Sequence, residues 1–397
     1  VIDLALWDLI GIILKQPVNN ILGRLDLSLI SPRFQFDAQA FLVGCWQKKP
    51  MLIRGAIPGF QSPITPEELG GLAMEPEADS RIVRLEDGAW SLEHGPFTEH
   101  DFQRKGQWSL LVQRVDEWFP EVMALRGCVD FLPQWRFDDI MVSYATDGAG
   151  VGPHFDQYDV FLLQGAGQRR WKIGPKCDAN TPTVSESDLR LIDEFEPTET
   201  FVLQPGDVLY VPPGFAHWGE AVGESMTYSL GFRAPRVTDL IARLSDTVID
   251  RLEDELLLED GDSMKIQPRP GEILSTHADN ARQAVFNALK ALDTDDDWYA
   301  ELLSDLSQQP EQTDEPIANF VELNPSQRLL WREGNHHIFA YLGGERYEFR
   351  LQDEPLLCAI CGGEFIEISA LDDYQVDIIK QWWALGFLEE RFLNDTH

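Results

Sequence analysis

The feature that most constrains the fold of this chain is a series of short β-type runs between residues 26 and about 235. The runs are rich in β-branched and aromatic residues, and turn signals such as Asp147-Gly148 and Pro205-Gly206-Asp207 separate them. The clearest runs cover residues 49–54, 81–84, 140–144, 160–163 and 208–211. Many short strands with frequent turns predict an all-β sandwich or barrel for this region.

The remaining chain has a different texture. Between residues 236 and 315, apolar residues recur at three- and four-residue spacing, which is typical of helices packed by one face. These residues are Leu240, Ile241, Leu244, Val248 and Leu252, followed by Ala284, Leu289 and Leu292. Residues 316–397 combine two strand-like runs, 337–341 and 346–350, with an amphipathic helix over 376–385. The sequence therefore predicts an α+β protein with several domains.

Acidic residues dominate the charge of the chain. The 67 Asp and Glu residues outnumber the 32 Lys and Arg residues, for a net charge of -35. Such a field repels nucleic-acid phosphates and anionic membranes, so we expect no direct DNA binding and no membrane association. No apolar stretch reaches the roughly 18 residues that a spanning helix needs. A basic protein or peptide is the partner that this charge favours.

The N-terminal residues and the five cysteines bear on the limits of the fold, the location and metal binding. Residues 1–25 are interpreted either as an extension outside the fold or as a docked amphipathic helix. Five scattered cysteines imply no disulfide framework, and a reducing cytoplasm is the expected location. Cys358 and Cys361 form a lone CxxC pair without a second pair, so we interpret them as buried thiols in a strand region.

A pair of spaced motifs predicts a metal site. His154 and Asp156 are separated by one residue, and on a strand both side chains would point to the same face. About 60 residues later, a Pro-Gly-Asp turn, a buried strand and a Pro-Pro-Gly turn lead to His217. Two histidines and one carboxylate form the ligand set of Fe(II) oxygenases, although zinc enzymes use similar ligands. A pair of purely structural histidines is the alternative.

The motifs resemble those of JmjC-type oxygenases, which have a double-stranded β-helix in the cupin superfamily. Three stretches, 151–161, 205–215 and 228–235, are similar to those of bacterial ribosomal oxygenases nearly residue for residue. The resemblance implies a JmjC/cupin catalytic domain over 26–235, a helical dimerisation region over 236–315 and a winged-helix-like domain over 316–397. It also implies that His154, Asp156 and His217 hold Fe(II), with 2-oxoglutarate as co-substrate and O2 as oxidant.

The co-substrate site is expected at Arg169. Strand alternation places Arg169, Trp171 and Ile173 on one face, which we interpret as the barrel interior. An inward guanidinium is costly unless an anion meets it, and its planar fork suits a carboxylate. In the family, the cation that binds the oxoacid lies at this position, fifteen residues after the first histidine. The resemblance also suggests that the hydroxyl of Ser143 contacts the oxoacid. An Arg paired with a structural acid is the alternative.

The implied activity is hydroxylation of an arginine in the sixteenth protein of the large ribosomal subunit. Asp147, in the loop before the first motif, is a candidate partner for the substrate guanidinium, or else an ordinary turn residue. Hydroxylation of a ribosomal histidine and demethylation remain open alternatives. A different metal enzyme on a cupin barrel, and a non-catalytic ribosome-interaction factor, are alternatives of other classes. The apolar stripe of the helical region predicts a homodimer.

Overall fold

The computed structural model describes residues 32–184, 191–252, 256–261, 269–291, 297–306 and 310–390. The predicted N-terminal extension, residues 1–25, lies outside this described part. The chain forms two compact units that divide between Ala234 and Pro235. Among the described residues, no helix is both long and apolar enough to cross a bilayer.

Among its described residues, the first unit is built on one nine-stranded sheet with three short α-helices. The strands are β1 (Met51–Ile53), β2 (Ser80–Glu86), β3 (Ala89–His94), β4 (Gln107–Val112), β5 (Phe137–Ala145), β6 (Asp159–Lys176), β7 (Glu199–Leu203), β8 (Val208–Val211) and β9 (Phe215–Phe232). The helices are α1 (Ala38–Gly44), α2 (Pro66–Leu72) and α3 (Pro120–Met123). Helix α2 begins with a reciprocal capping box between Thr65 and Glu68, which satisfies two backbone N–H groups.

The sheet follows the order β1-β8-β6-β9-β5-β4-β2-β3, with β7 also paired to β6. All pairs are antiparallel, and the two 18-residue strands β6 and β9 pair along most of their length. Their register shifts near Ala166 and again between Ile173 and Lys176, so both strands bend. The first half of β6 pairs with β8 and the second half with β7. This arrangement is a β-sandwich and confirms the predicted all-β region.

The two faces of the long strands bury different residues. Phe161, Leu163 and Tyr228 belong to the larger core, which includes residues of α1 and α2. Val160, Leu162 and Trp171 face the opposite side and form a smaller core with β7 and β8. Because side chains alternate along a strand, Arg169, two residues before Trp171, shares this second face inside the sandwich.

The second unit contains helices α4 (Val237–Arg251), α5 (Ser275–Ala291) and α6 (Asp297–Ser304), as the periodicity predicted for this region. Strands β10 (Phe320–Leu323), β14 (Ile366–Glu367) and β15 (Leu388–Glu390) form one small sheet. Strands β11 (Leu330–Glu333), β12 (His337–Leu342) and β13 (Glu345–Arg350) form another, and helices α7 (Glu354–Cys361) and α8 (Asp373–Ala384) complete the unit. Residue 292, assigned to the second helix from sequence, lies outside the described residues.

Two sequence-based expectations are wrong. The His154–Asp156 stretch is not on a strand, since His154 makes a single β-bridge to His217 and the following residues form a loop. The thiols of Cys358 and Cys361 lie on helix α7, where Cys358 is exposed and Cys361 is partly buried. The His154 stretch is set by its pairing with a distant segment, whereas the cysteines lie on a helix that begins with Pro355 in its first turn, a local helix-start signal.

Candidate metal centre

The His154, Asp156 and His217 side chains converge. Their candidate ligand atoms all lie within 4.8 Å of one another, with Asp156 Oδ2 3.8 Å from His154 Nε2 and 3.5 Å from His217 Nε2. The two imidazole centroids are 4.3 Å apart. No other group of three or more such side chains with this geometry occurs among the described residues.

The backbone holds the loop of His154 against the start of β9. His154 N donates to His217 O at 3.1 Å, and His217 N donates to His154 O at 2.8 Å. Gly214 N donates to the carbonyl oxygen of Asp156 at 2.7 Å. The loop is therefore positioned by hydrogen bonds to a second segment, without being part of a regular strand.

Each imidazole is also oriented through its second nitrogen. His154 Nδ1 lies 3.0 Å from Gly152 O, and His217 Nδ1 lies 3.0 Å from Phe215 O. A carbonyl can only accept, so the hydrogen is on Nδ1 and Nε2 presents its lone pair toward Asp156. Burial, and then the neighbouring His154, lower the pKa of His217 to about 4. A neutral imidazole is the form that binds a divalent metal, so the residues fit such an ion.

A buried cation lies inside the same sandwich. Arg169 is 5% exposed and donates through Nη1 to Ser143 Oγ at 3.0 Å. Its Nε and Nη2 are buried and have no hydrogen-bond partner within the described residues. Burial lowers the pKa of Arg169 to about 10, so the group stays charged at neutral pH. Two unmatched donors on a buried charge fit a carboxylate ligand.

Comparison with known proteins identifies the family. The JmjC domain model matches residues 124–240. The "Ribosomal protein uL16 3-hydroxylase" of Escherichia coli is 41% identical over 266 residues, which are 66% of this chain and 70% of that protein. The "Probable ribosomal oxygenase" of Haemophilus influenzae is 32% identical over 358 residues, covering 84% of this chain and 88% of that protein. The chain belongs to the JmjC-domain ribosomal oxygenases.

Solved structures agree with this assignment. The ribosomal oxygenase YcfD of Escherichia coli matches this ribosomal oxygenase with a TM-score of 0.77 and 32% identity, over 91% of this chain and 99% of that one. Its complex with cobalt and 2-oxoglutarate matches with a TM-score of 0.75 and 31% identity, over 90% and 99% of the two chains.

Asp147 of this ribosomal oxygenase is exposed in the loop after β5. Its Oδ1 accepts a hydrogen bond from Gly223 N at 2.8 Å, so this oxygen ties the loop after β5 to strand β9. This hydrogen bond gives Asp147 a structural role. Such a role was the alternative to the predicted contact with the substrate.

Two residues that support the centre, Gly152 and Trp90, were not predicted from the sequence. Gly152 has a φ of +80°, and a Cβ there would lie 2.8 Å from Leu191 Cδ2 and 3.2 Å from the Trp90 indole. Trp90 of β3 therefore packs on the residue whose carbonyl orients His154. A glycine two positions before the histidine was a visible signal, whereas nothing in the sequence pointed to Trp90.

Proposed function

We propose that this ribosomal oxygenase is an Fe(II)- and 2-oxoglutarate-dependent protein hydroxylase that acts on an arginine of ribosomal protein uL16. The observation that carries the proposal is the convergence of His154, Asp156 and His217, together with a buried, incompletely paired Arg169 on the same sheet; the Trp171 ring lies 5.9 Å from the His217 ring and 6.0 Å from Arg169 Cζ. The relative named as a uL16 3-hydroxylase supports the substrate.

His154, Asp156 and His217 would hold the iron, and Arg169 with Ser143 would hold the distal carboxylate of 2-oxoglutarate. With O2, the bound iron and 2-oxoglutarate would supply the oxidation, in which 2-oxoglutarate becomes succinate and CO2 and one oxygen atom enters a substrate C–H bond. The chain's own residues orient the participants. The carbonyls of Gly152 and Phe215 fix the imidazole tautomers, and the Asp156 carboxylate would offset part of the positive charge of a bound metal.

We further propose that Asp147 pairs with the substrate guanidinium. Only one of its carboxylate oxygens is used by Gly223 N, and the side chain is exposed beside the loop that leads to His154. Reversal to Asp147→Lys should raise the KM for a uL16 peptide. The Asp147→Asn variant keeps the acceptor for Gly223 N and separates the structural task from the charge.

The same proposal extends to the domains. Residues 26–235 would be the JmjC/cupin catalytic domain, 236–315 a helical dimerisation region and 316–397 a winged-helix-like domain. Exposed apolar residues on α4 and α5, among them Ile241, Ile249, Val285 and Phe286, support a homodimer. The order α7-β14-α8-β15 supports a winged-helix-like arrangement. We also propose a cytoplasmic location, which a ribosomal protein substrate supports.

The deciding experiment incubates the protein with Fe(II), 2-oxoglutarate, O2 and purified uL16. We expect one succinate for each oxygen atom gained by uL16, with the oxygen located on an arginine by fragmentation mass spectrometry. The His154→Ala variant should lose this turnover, while His277→Ala, on helix α5, should keep it. Oxygen found on a histidine would instead indicate a histidyl hydroxylase. Turnover that survives His154→Ala would contradict the proposed centre.

A further inference from the structure

A groove of about 510 Å³ in the second unit lies between strand β13 and helix α8. Its helical wall consists of Tyr374, Ile378, Gln381 and Leu385, which recur at four-, three- and four-residue spacing and thus share one helix face. Residues 345–348 of β13 form the opposite wall. The catalytic residues proposed above all belong to the other unit, so the groove requires a separate explanation.

Strand β13 is at the edge of its three-stranded sheet. Tyr374 Oη donates to Glu348 O at 2.5 Å, so the backbone of Glu348 faces helix α8 and not β12. In an antiparallel pair, the N–H and C=O of one residue point to the same side, so the N–H of Glu348 also faces the groove. Because Tyr374 already uses the carbonyl of Glu348, an extended peptide along this edge would bond to the N–H of Glu348.

The charge along this wall is negative once internal ion pairs are considered. Arg346 and Arg332 share the carboxylate of Asp297, each at 2.5 Å, whereas Arg350 pairs with two acids, Asp353 at 2.8 Å and Asp372 at 2.6 Å, so these arginines and aspartates balance as a group. Glu345 and Glu348 are the two acidic residues of this wall. Within the described residues, Glu345 has no cation at ion-pair distance, and Glu348 has only His337, at 3.1 Å, which is charged only when protonated.

We propose that this groove docks an extended basic segment of the ribosomal protein substrate. Basic side chains of the segment would pair with Glu345 and Glu348, and an apolar one would contact Ile378 and Leu385. Charge complementarity selects this occupant over a nucleic acid, since residues 317–397 carry 14 acids and 6 bases. The identity of the partner rests on the proposed function, whereas the binding of a basic segment does not.

The test uses the full-length protein and a fluorescent nonapeptide whose arginines are three residues apart with valines between them, carrying one photo-crosslinking group, because Glu345 and Glu348 lie on opposite faces of β13. We expect crosslinks, mapped by mass spectrometry, to residues 345–348 and 374–385. The double variant Glu345→Lys/Glu348→Lys should weaken binding by about tenfold or more, because two attractions become two repulsions. A peptide with glutamate in place of arginine should not bind.

The matched control is Glu333→Lys/Glu364→Lys, which makes the same change in net charge at exposed acids outside the groove. We expect its affinity to stay within about twofold of the wild type, because these charges are more distant and screened by salt. Equal losses in both double variants, or crosslinks elsewhere, would overturn the proposal. Binding is measured without Fe(II) and 2-oxoglutarate, so its outcome is independent of whether uL16 is hydroxylated. If uL16 is a substrate, Glu345→Lys/Glu348→Lys should raise its KM and leave kcat unchanged.

Discussion

Arg169 illustrates at the scale of one residue how a binding group is prepared before its ligand arrives. Its guanidinium is buried, yet within the part of the chain that the structure describes only Nη1 has a hydrogen-bond partner, Ser143. Two unmatched donors next to an apolar core destabilise the ligand-free fold, and an incoming carboxylate removes that cost. The same desolvation that destabilises the charge strengthens its attraction for an anion.

Replacement Arg169→Met should therefore separate stability from binding. Without ligand, we expect the variant to be more stable than the wild type by about 1–3 kcal/mol, because an incompletely paired buried charge is replaced by an apolar chain. In differential scanning fluorimetry with Mn(II), 2-oxoglutarate should raise the Tm of the wild type and leave that of the variant unchanged. Arg170→Met, on the outward face of the same strand, is the control and should keep the ligand response. An equal 2-oxoglutarate response in Arg169→Met would rule out this role.

Trp90 supports the metal centre through packing and not through contact with a ligand atom. Truncation to Trp90→Ala should loosen Gly152, whose carbonyl orients His154, and weaken Mn(II) binding by about tenfold in calorimetric titration. Trp331→Ala removes an equally large, partly buried side chain from the second unit and should leave metal affinity unchanged. Unaltered affinity in Trp90→Ala would show that the backbone bonds to β9 suffice to position the loop.

At the scale of elements, the beginning of strand β5 carries an unusual carboxyl group. Asp139 accepts a hydrogen bond from Arg114 N at 3.0 Å, and burial together with the neighbouring Asp138 raises its pKa to about 7. An unfolded Asp titrates near pH 4, so between about pH 4 and 7 the folded protein retains a proton that the unfolded chain has lost. Stability must therefore fall as the pH rises through this window.

The variant Asp139→Asn should remove this contribution to the pH dependence. Its amide oxygen can still accept from Arg114 N, and no charge forms at high pH. Relative to the wild type, we expect the variant to gain about 2 kcal/mol in free energy of unfolding between pH 5 and pH 8, measured by chemical denaturation. The exposed Asp377→Asn serves as a control whose stability should follow the wild type at both values. A constant difference between Asp139→Asn and the wild type would mean that Asp139 is ionised throughout.

At the scale of the whole molecule, the net charge of -35 and the exposed apolar helices have opposite effects on self-association. The charge opposes self-association, yet α5 has no buried residue among those described and exposes 59% of Val285 and 53% of Phe286. Apolar groups of this size on one helix favour burial against a partner, and a second copy is the partner that we propose.

The variant Val285→Asp/Phe286→Asp should shift the proposed homodimer to a monomer in light scattering. The control Gln283→Asp/Asn287→Asp adds the same charge to the same helix without removing apolar surface, and should remain dimeric. A wild-type mass of one chain at every concentration would contradict the dimer itself.

How far the sequence could be interpreted depended on the range of the interactions involved. Strand β8 and the core of β5 matched their apolar runs, because alternation and turn residues act locally. The spaced motifs at His154 and His217 similarly predicted residues that the structure brings together. The reason given for the His154–Asp156 pair was nevertheless wrong, since a loop carries both side chains and β9 holds that loop in place.

The sequence by itself determined three features: the alternation that turns Arg169 inward, the turns at both ends of β8, and the family. Each of them depends on residue types at short or characteristic spacing. Only the tertiary structure decided which groups surround each side chain. The packing of Trp90 on Gly152, the raised pKa of Asp139, the bond of Asp147 to Gly223 and the edge groove beside β13 all join segments distant in the sequence. Burial and hydrogen bonding depend on the three-dimensional neighbourhood, which no local pattern encodes.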